Sequence, residues 1–186
     1  MSKKERKSHV EIERKYLLKR LPVDFLKEKK YTILEIVQYY FFIDNKWQRF
    51  RISRNKSTGV VKYIHTIKDT IAYGTNDEDE KNISEKLFKK MFAEHKDNYR
   101  VIRKQRYVVK FKGLKFEIDH FKDLSLTMLE IELPNIDFPI SFPINVQKEM
   151  LMEVTGFKQF SNLNLAFVHI KSEKKAGGKN GKSKKR

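Results

Sequence analysis

The chain has 186 residues, 39% hydrophobic and 35% charged, with a formal net charge of +17 and no cysteine. That is enough apolar material for one domain with a substantial core, and it excludes a disulfide framework or thiolate metal site, so any metal must be held by oxygen or imidazole. No run of about 18 apolar residues spans a bilayer and no basic start leads into an apolar stretch, which points to a cytoplasmic protein without membrane contact.

Much of the charge sits at the ends. Lys171 to Arg186 holds eight Lys/Arg against one Glu, and Met1 to His9 holds four against one, so the ends supply +10 of the +17. The expected organisation is a basic arm over 1–9, one domain over 10–170 and a disordered Lys-rich tail over 171–186. The tail suits weak contact with RNA or anionic surfaces by counterion release, and equally a solubilising or tethering role.

Most of the body reads as strands. Val10 to Leu18 alternates, Thr32 to Ile43 is rich in Ile, Val, Tyr and Phe, and "DNK" at Asp44 to Lys46 turns the chain into Trp47 to Ser53 as a hairpin. Pro22 to Lys29 suits a short helix, with proline in its first turn. Val60 to Lys68 is a further strand, followed by a polar loop near Gly74 and a short acidic run, Asp77 to Lys81. Ser84 can cap a helix to about His95 that places Leu87, Phe88, Met91 and Phe92 on one face. Tyr99 to Phe111, the Lys112–Gly113 turn and Leu114 to Phe121 form another hairpin, and Thr127 to Leu133 closes the series. A third helix is expected over Asn145 to Val154 and a fourth near the end. Roughly eight antiparallel strands with helices outside make an α+β fold on a large sheet or barrel.

Strand after strand carries charge on one face. Glu11, Glu13 and Lys15 lie opposite Ile12 and Tyr16, and Arg49 and Arg51 lie opposite Phe50 and Ile52. Glu78 and Glu80 share a face, as do Lys104 and Arg106; Glu117 and Asp119 alternate with Phe116 and Ile118, Glu130 and Glu132 with Leu129 and Ile131, and Lys68 ends "YIHTIK". Outward charged faces would make an ordinary half-covered sheet. Inward ones would make a polar cavity, and periodicity does not separate the two. An enclosed mixture of acids and bases suits a dense polyanion bound with divalent cations, because arginine forks phosphate oxygens and carboxylates hold Mg²⁺ or Mn²⁺.

At this point the residues resemble a family, the CYTH domains or triphosphate tunnel metalloenzymes. "EIERKYLL" at the start matches the family's ExExK signature. "QYYF", "RFRIS", "HTIK", "EDEKNIS", "IRKQRY", "FEIDHF", "LEIEL" and "EVTGFKQFSN" follow in the family's order, over about Val10 to Ala166. The resemblance implies an eight-stranded antiparallel barrel forming a tunnel, most like the small bacterial inorganic tripolyphosphatases. It implies that Glu11, Glu13, Glu130 and Glu132 bind metal and that Lys15, Arg49, Arg51, Lys68, Lys104 and Arg106 grip the triphosphate. Catalysis would centre on Glu11, Glu13, Lys15, Arg49, Arg51 and Lys68, with Glu78, Glu80, Glu117 and Asp119 lining the tunnel. Asp69 stands where many relatives have glycine, and Asn76 where a basic residue often precedes the acidic pair.

The expected activity is therefore divalent-metal-dependent hydrolysis of a triphosphate, foremost inorganic tripolyphosphate. Adenylate cyclisation and thiamine triphosphate hydrolysis are alternatives on the same fold, and a non-catalytic polyphosphate or RNA binder is a rival from another class. The oligomeric state is left at monomer or homodimer. "AGGKNGKS" at Ala176 to Ser183 nearly spells a P-loop but has no room for the helix that must follow. The five histidines lack metal-ligand spacing, and Tyr39, Tyr40, Phe41 and Trp47 read as packing.

Overall fold

A computed structural model describes residues 9–96 and 98–168; the N-terminal arm, except His9, and the Lys-rich tail with its P-loop-like stretch lie outside the described residues. The strands are β1 (His9–Leu18), β2 (Tyr31–Ile43), β3 (Lys46–Asn55), β4 (Val61–Ala72), β5 (Thr75–Ile83), β6 (Tyr99–Phe111), β7 (Leu114–Phe121), β8 (Leu126–Glu132) and β9 (Met150–Glu153). The helices are α1 (Val23–Lys27), α2 (Glu85–His95), α3 (Ile144–Gln147) and α4 (162–168). None is long and apolar enough to cross a membrane.

The strands run in the order β5-β4-β3-β2-β6-β7-β8-β1, all antiparallel, and β1 pairs back to β5 through His9–Ile12, which closes an eight-stranded barrel. Closure removes the exposed edges of an open sheet. The tight hairpins follow local chemistry. Asp44–Asn45 and Lys112–Gly113 take the positive φ that two-residue turns between right-twisted strands require. Ser84 caps α2, its Oγ accepting from the Leu87 N–H at 3.2 Å.

Outward side chains make two covers. On β1, β6, β7 and β8, Tyr16, Val109, Phe116, Ile118, Leu129 and Ile131 pack under Phe25 and Leu26 of α1 and Val146 of α3. Each of the fully buried ones, such as Phe116 and Ile131, contributes roughly 1.5–3 kcal/mol. On β2, β3 and β4, Tyr39, Phe41, Phe50 and Tyr63 pack under Phe88, Met91 and Phe92 of α2, while Leu87, expected on the same face, is 43% exposed. A third cluster plugs one end of the barrel: Tyr40, Ile102, Phe121 and Met128 meet Leu165 and Ala166 of α4.

The expected helix over Asn145 to Val154 is corrected. Only Ile144–Gln147 is helical, and Met150–Glu153 pairs with Tyr16–Leu18 of β1. β5 covers that edge of β1 only as far as Ile12, so the rest offers unpaired backbone that the returning chain satisfies.

Candidate active site

The inward faces of the strands enclose a cavity of about 280 Å³. It is lined by Glu11, Glu13 and Lys15 of β1, Arg49 and Arg51 of β3, Lys68 of β4, Glu78 and Glu80 of β5, Arg106 of β6, Glu117 of β7, and Glu130 and Glu132 of β8. The alternating charges therefore converge inside the barrel. A neighbouring cavity of about 390 Å³ shares Glu13, Lys15, Arg49 and Lys68 and continues toward Trp47, Phe157 and Phe160. Lys104 and Asp119 point inward but line neither cavity; their side chains are fully buried and pair at 2.5 Å behind Arg106.

The interior charges form a linked network. Lys68 Nζ lies 2.5 Å from Glu78, 2.8 Å from Glu11 and 3.3 Å from Glu13. Lys15 Nζ bridges Glu130 at 3.0 Å and Glu13 at 3.1 Å. Arg49 and Arg51 reach Glu80 at 3.2 and 2.8 Å. Arg106 donates two bonds of 2.6 Å to Asp119 and one of 2.7 Å to Glu130, and also pairs with Glu117. Burial alone would push the Lys15 and Lys68 ammoniums down, but Glu130 with Glu13, and Glu13 with Glu11 and Glu78, hold both above the ordinary lysine value. Burial would likewise raise Glu130, and Lys15, Lys104 and Arg106 overcome it and hold that carboxyl well below its usual range. Lys104 goes the other way: burial and adjacent Arg106 lower it to about 8 against the pull of Asp119.

Among the described residues no group of three or more His, Asp or Glu forms a ready metal site. The acids are instead gathered around ammonium groups, and Glu11, Glu13 and Glu78 each place an oxygen within 3.3 Å of Lys68 Nζ. Three hard oxygen donors focused on one cation are the donor chemistry that Mg²⁺ or Mn²⁺ takes, so the residues fit such an ion. Glu132 sits opposite Glu13 in the β1–β8 ladder and pairs with Lys115 at 2.8 Å.

Several neutral residues at the site escaped a reading based on charge alternation. Gln38 lines the cavity, and Tyr40, which packs in the apolar plug as expected, also lines the neighbouring one beside Thr66, while Tyr39 and Phe41 pack outward. Asn162 at the start of α4 lines both cavities and accepts from Lys104 Nζ at 3.2 Å. Asn76 donates to Glu13 at 3.4 Å, and Asp69 pairs with Lys46 at the surface. Gln38 and Tyr40 stand opposite Arg51 and Arg49 in the β2–β3 ladder, and the inward face of β2 carries no charge of its own that would have marked them.

The backbone of the Glu13–Lys15 segment is held where β1 passes from β5 to β9. Glu13 N–H donates to Gly74 O at 2.8 Å, and Lys15 N–H donates to Thr155 Oγ1 at 2.9 Å. Thr155 donates in turn to Glu153, which Arg14 grips. Gly74, at φ +63°, comes so close that a Cβ there would stand 2.8 Å from Glu13 O.

No family model matches the chain, and no curated protein matches it significantly in sequence. Among solved structures, it is similar to two of the protein NE1496. One, called a hypothetical protein, is 27% identical over 84% of this chain and 97% of that one, with a TM-score of 0.52. The other, called the inorganic triphosphatase NE1496, is 25% identical over 84% and 93%, with a TM-score of 0.51. PH1819 from Pyrococcus horikoshii OT3 shares the fold at 16% identity and a TM-score of 0.51, over 74% of this chain and 82% of that one. The closed eight-stranded barrel, its inward charges, the ordered motifs and these likenesses agree: the chain has the CYTH, or triphosphate tunnel, fold.

Proposed function

We propose that the tunnel binds a triphosphate and hydrolyses it with the help of Mg²⁺ or Mn²⁺, inorganic tripolyphosphate being the first choice. The observation that carries this reading is the convergence of Lys15, Arg49, Arg51, Lys68 and Arg106 with a full set of carboxylates in one small cavity. Its volume of about 280 Å³ is at the low end for ligand pockets and suits a compact polyanion. The likeness to a protein named as an inorganic triphosphatase supports the same substrate.

In this reading the two lysines and three arginines take the non-bridging phosphate oxygens, exchanging their carboxylate partners for the ligand. Glu11 and Glu13, with Glu130 and Glu132, are the residues that would hold the metal, and Glu78 joins them through its place beside Lys68. Bound there, the ion supplies charge neutralisation and an activated water for attack on a terminal phosphorus. Lys104 and Asp119 act from behind, fixing Arg106. Catalysis is then positioning and electrostatics, with no covalent nucleophile needed.

A second reading is favoured by one feature, the 390 Å³ cavity beside the cationic belt with Trp47, Phe157 and Phe160 in its wall. It would house the organic part of thiamine triphosphate or ATP. Incubation with tripolyphosphate, ATP and thiamine triphosphate plus each metal, reading phosphate, pyrophosphate and cyclic AMP, separates these. Tripolyphosphate turnover abolished by E11A is the expected result. Pyrophosphate and cyclic AMP from ATP would replace hydrolysis with cyclisation, and binding that survives E11A without turnover of any substrate would leave a non-catalytic polyanion binder.

A further inference from the structure

Gln38 is fully buried, and neither end of its side-chain amide has a hydrogen-bond partner among the described residues. Buried amides are nearly always bonded, because losing water without a replacement is unfavourable. Nor is this an amide lost in the apolar core: it lines the charged cavity, directly opposite Arg51 in the β2–β3 ladder. The Nε atoms of Arg49 and Arg51 are buried without partners as well.

Arg49 and Arg51 both reach Glu80 through Nη2, leaving each Nε turned to no acceptor. What remains is three unbonded groups on two adjacent strands that line the same cavity, the two guanidinium Nε–H groups and the Gln38 amide. A group that satisfies them must present several acceptor oxygens at once and carry negative charge, as a phosphoryl group does. A third cation at position 38 would add to the mutual repulsion of the arginines, already seen in the lowering of Arg51 by burial and by Arg49. A neutral amide adds a donor without it.

We propose that Gln38 contacts the ligand, its Nε2 donating to a non-bridging oxygen of the phosphoryl group that Arg49 and Arg51 hold through Nε. Oε1 accepts from a water that enters with the ligand. This rests on the triphosphate reading above and deepens it by adding a neutral recognition element to the cationic belt.

The proposal sets stability and binding against each other. Replacing an unbonded buried amide by an apolar side chain of similar shape removes a desolvation cost, so Q38M should raise the melting temperature of the ligand-free protein by about 2–4 °C. Titration calorimetry with tripolyphosphate and Mg²⁺ should show the affinity falling at least about tenfold. Q38L is the second variant and should behave alike. A lower melting temperature with unchanged affinity overturns the proposal, as does failure of both variants to fold, because the amide would then be structural. Lack of tripolyphosphate binding by the wild-type protein would show, before any variant is tested, that the triphosphate reading itself has failed, and Gln38's role with it.

Discussion

Lys15 and Glu130, 115 residues apart in sequence, stand opposite each other across the β1–β8 ladder and meet inside the barrel at 3.0 Å. Glu130 also accepts from Arg106 at 2.7 Å, so one buried carboxylate balances two cations from different strands. Removing one partner of such a pair leaves charge buried without compensation, which costs about 3–5 kcal/mol. E130A should therefore unfold at lower urea in metal-free buffer. Tripolyphosphate, supplying the missing negative charge, should then raise its melting temperature more than it raises that of the wild type. Equal ligand-induced shifts would mean that Glu130 does not share its cations with the substrate.

Lys68 holds together Glu11, Glu13 and Glu78, whose oxygens surround its Nζ. In K68M these three carboxylates are left facing one another, so the metal-free variant should be less stable than the wild type. A divalent cation would then take the place of the ammonium. Melting curves over a Mn²⁺ titration should show a larger stabilisation in K68M than in the wild type, and the absence of any metal-dependent shift would separate these acids from cation binding.

How much of this could be read from residues alone is clearest from the strand faces. The two-residue period correctly put Glu11, Glu13 and Lys15 on one side and Tyr16 on the other, because pleating dictates it. Whether that side was inside depended on a contact with no local signature, the pairing of Glu11 with Asn76 that closes the barrel. Depth along the axis was equally hidden. Lys104 and Asp119 share the inward parity of Arg106 and Glu117, yet they sit beside the apolar plug of Phe121 and α4, paired with each other and held by Arg106 and Asn162 instead of opening onto the cavity. Neutral residues such as Gln38 and Thr155 carried no charge to mark them. Met150–Glu153 is a strand where the residues alone predict helix, because its conformation is set by the open edge of β1 and not by its own short sequence.

Thr155 offers a test of how far the β1 backbone must be fixed. Its hydroxyl accepts from Lys15 N–H and gives its one proton to Glu153, so it links the β1 backbone to the Arg14–Glu153 pair. T155V keeps the shape and removes both bonds. It should lower stability by about 1–2 kcal/mol and, by loosening the strand that carries Glu13 and Lys15, reduce kcat for tripolyphosphate about tenfold. T155S should restore most of the rate. A stability loss with unchanged kcat and KM would confine Thr155 to a structural role.

Lys104 gives the chain a pH signature outside the range where carboxylates titrate. Burial and Arg106 hold its folded-state value at about 8, below the ordinary 10.5. Between those values the unfolded chain retains a proton that the folded chain has released, so this residue makes stability rise with pH across that window. Lys15 and Lys68 have the opposite sign, being raised in the fold; their contribution is complete below 10.5 and is lost only as pH climbs through their higher folded values. Urea unfolding of metal-free protein at several points between about pH 8 and 10 should therefore show stability increasing, and K104M should flatten that slope. A wild-type stability that falls across the window would mean that Asp119 keeps the Lys104 ammonium charged despite its burial.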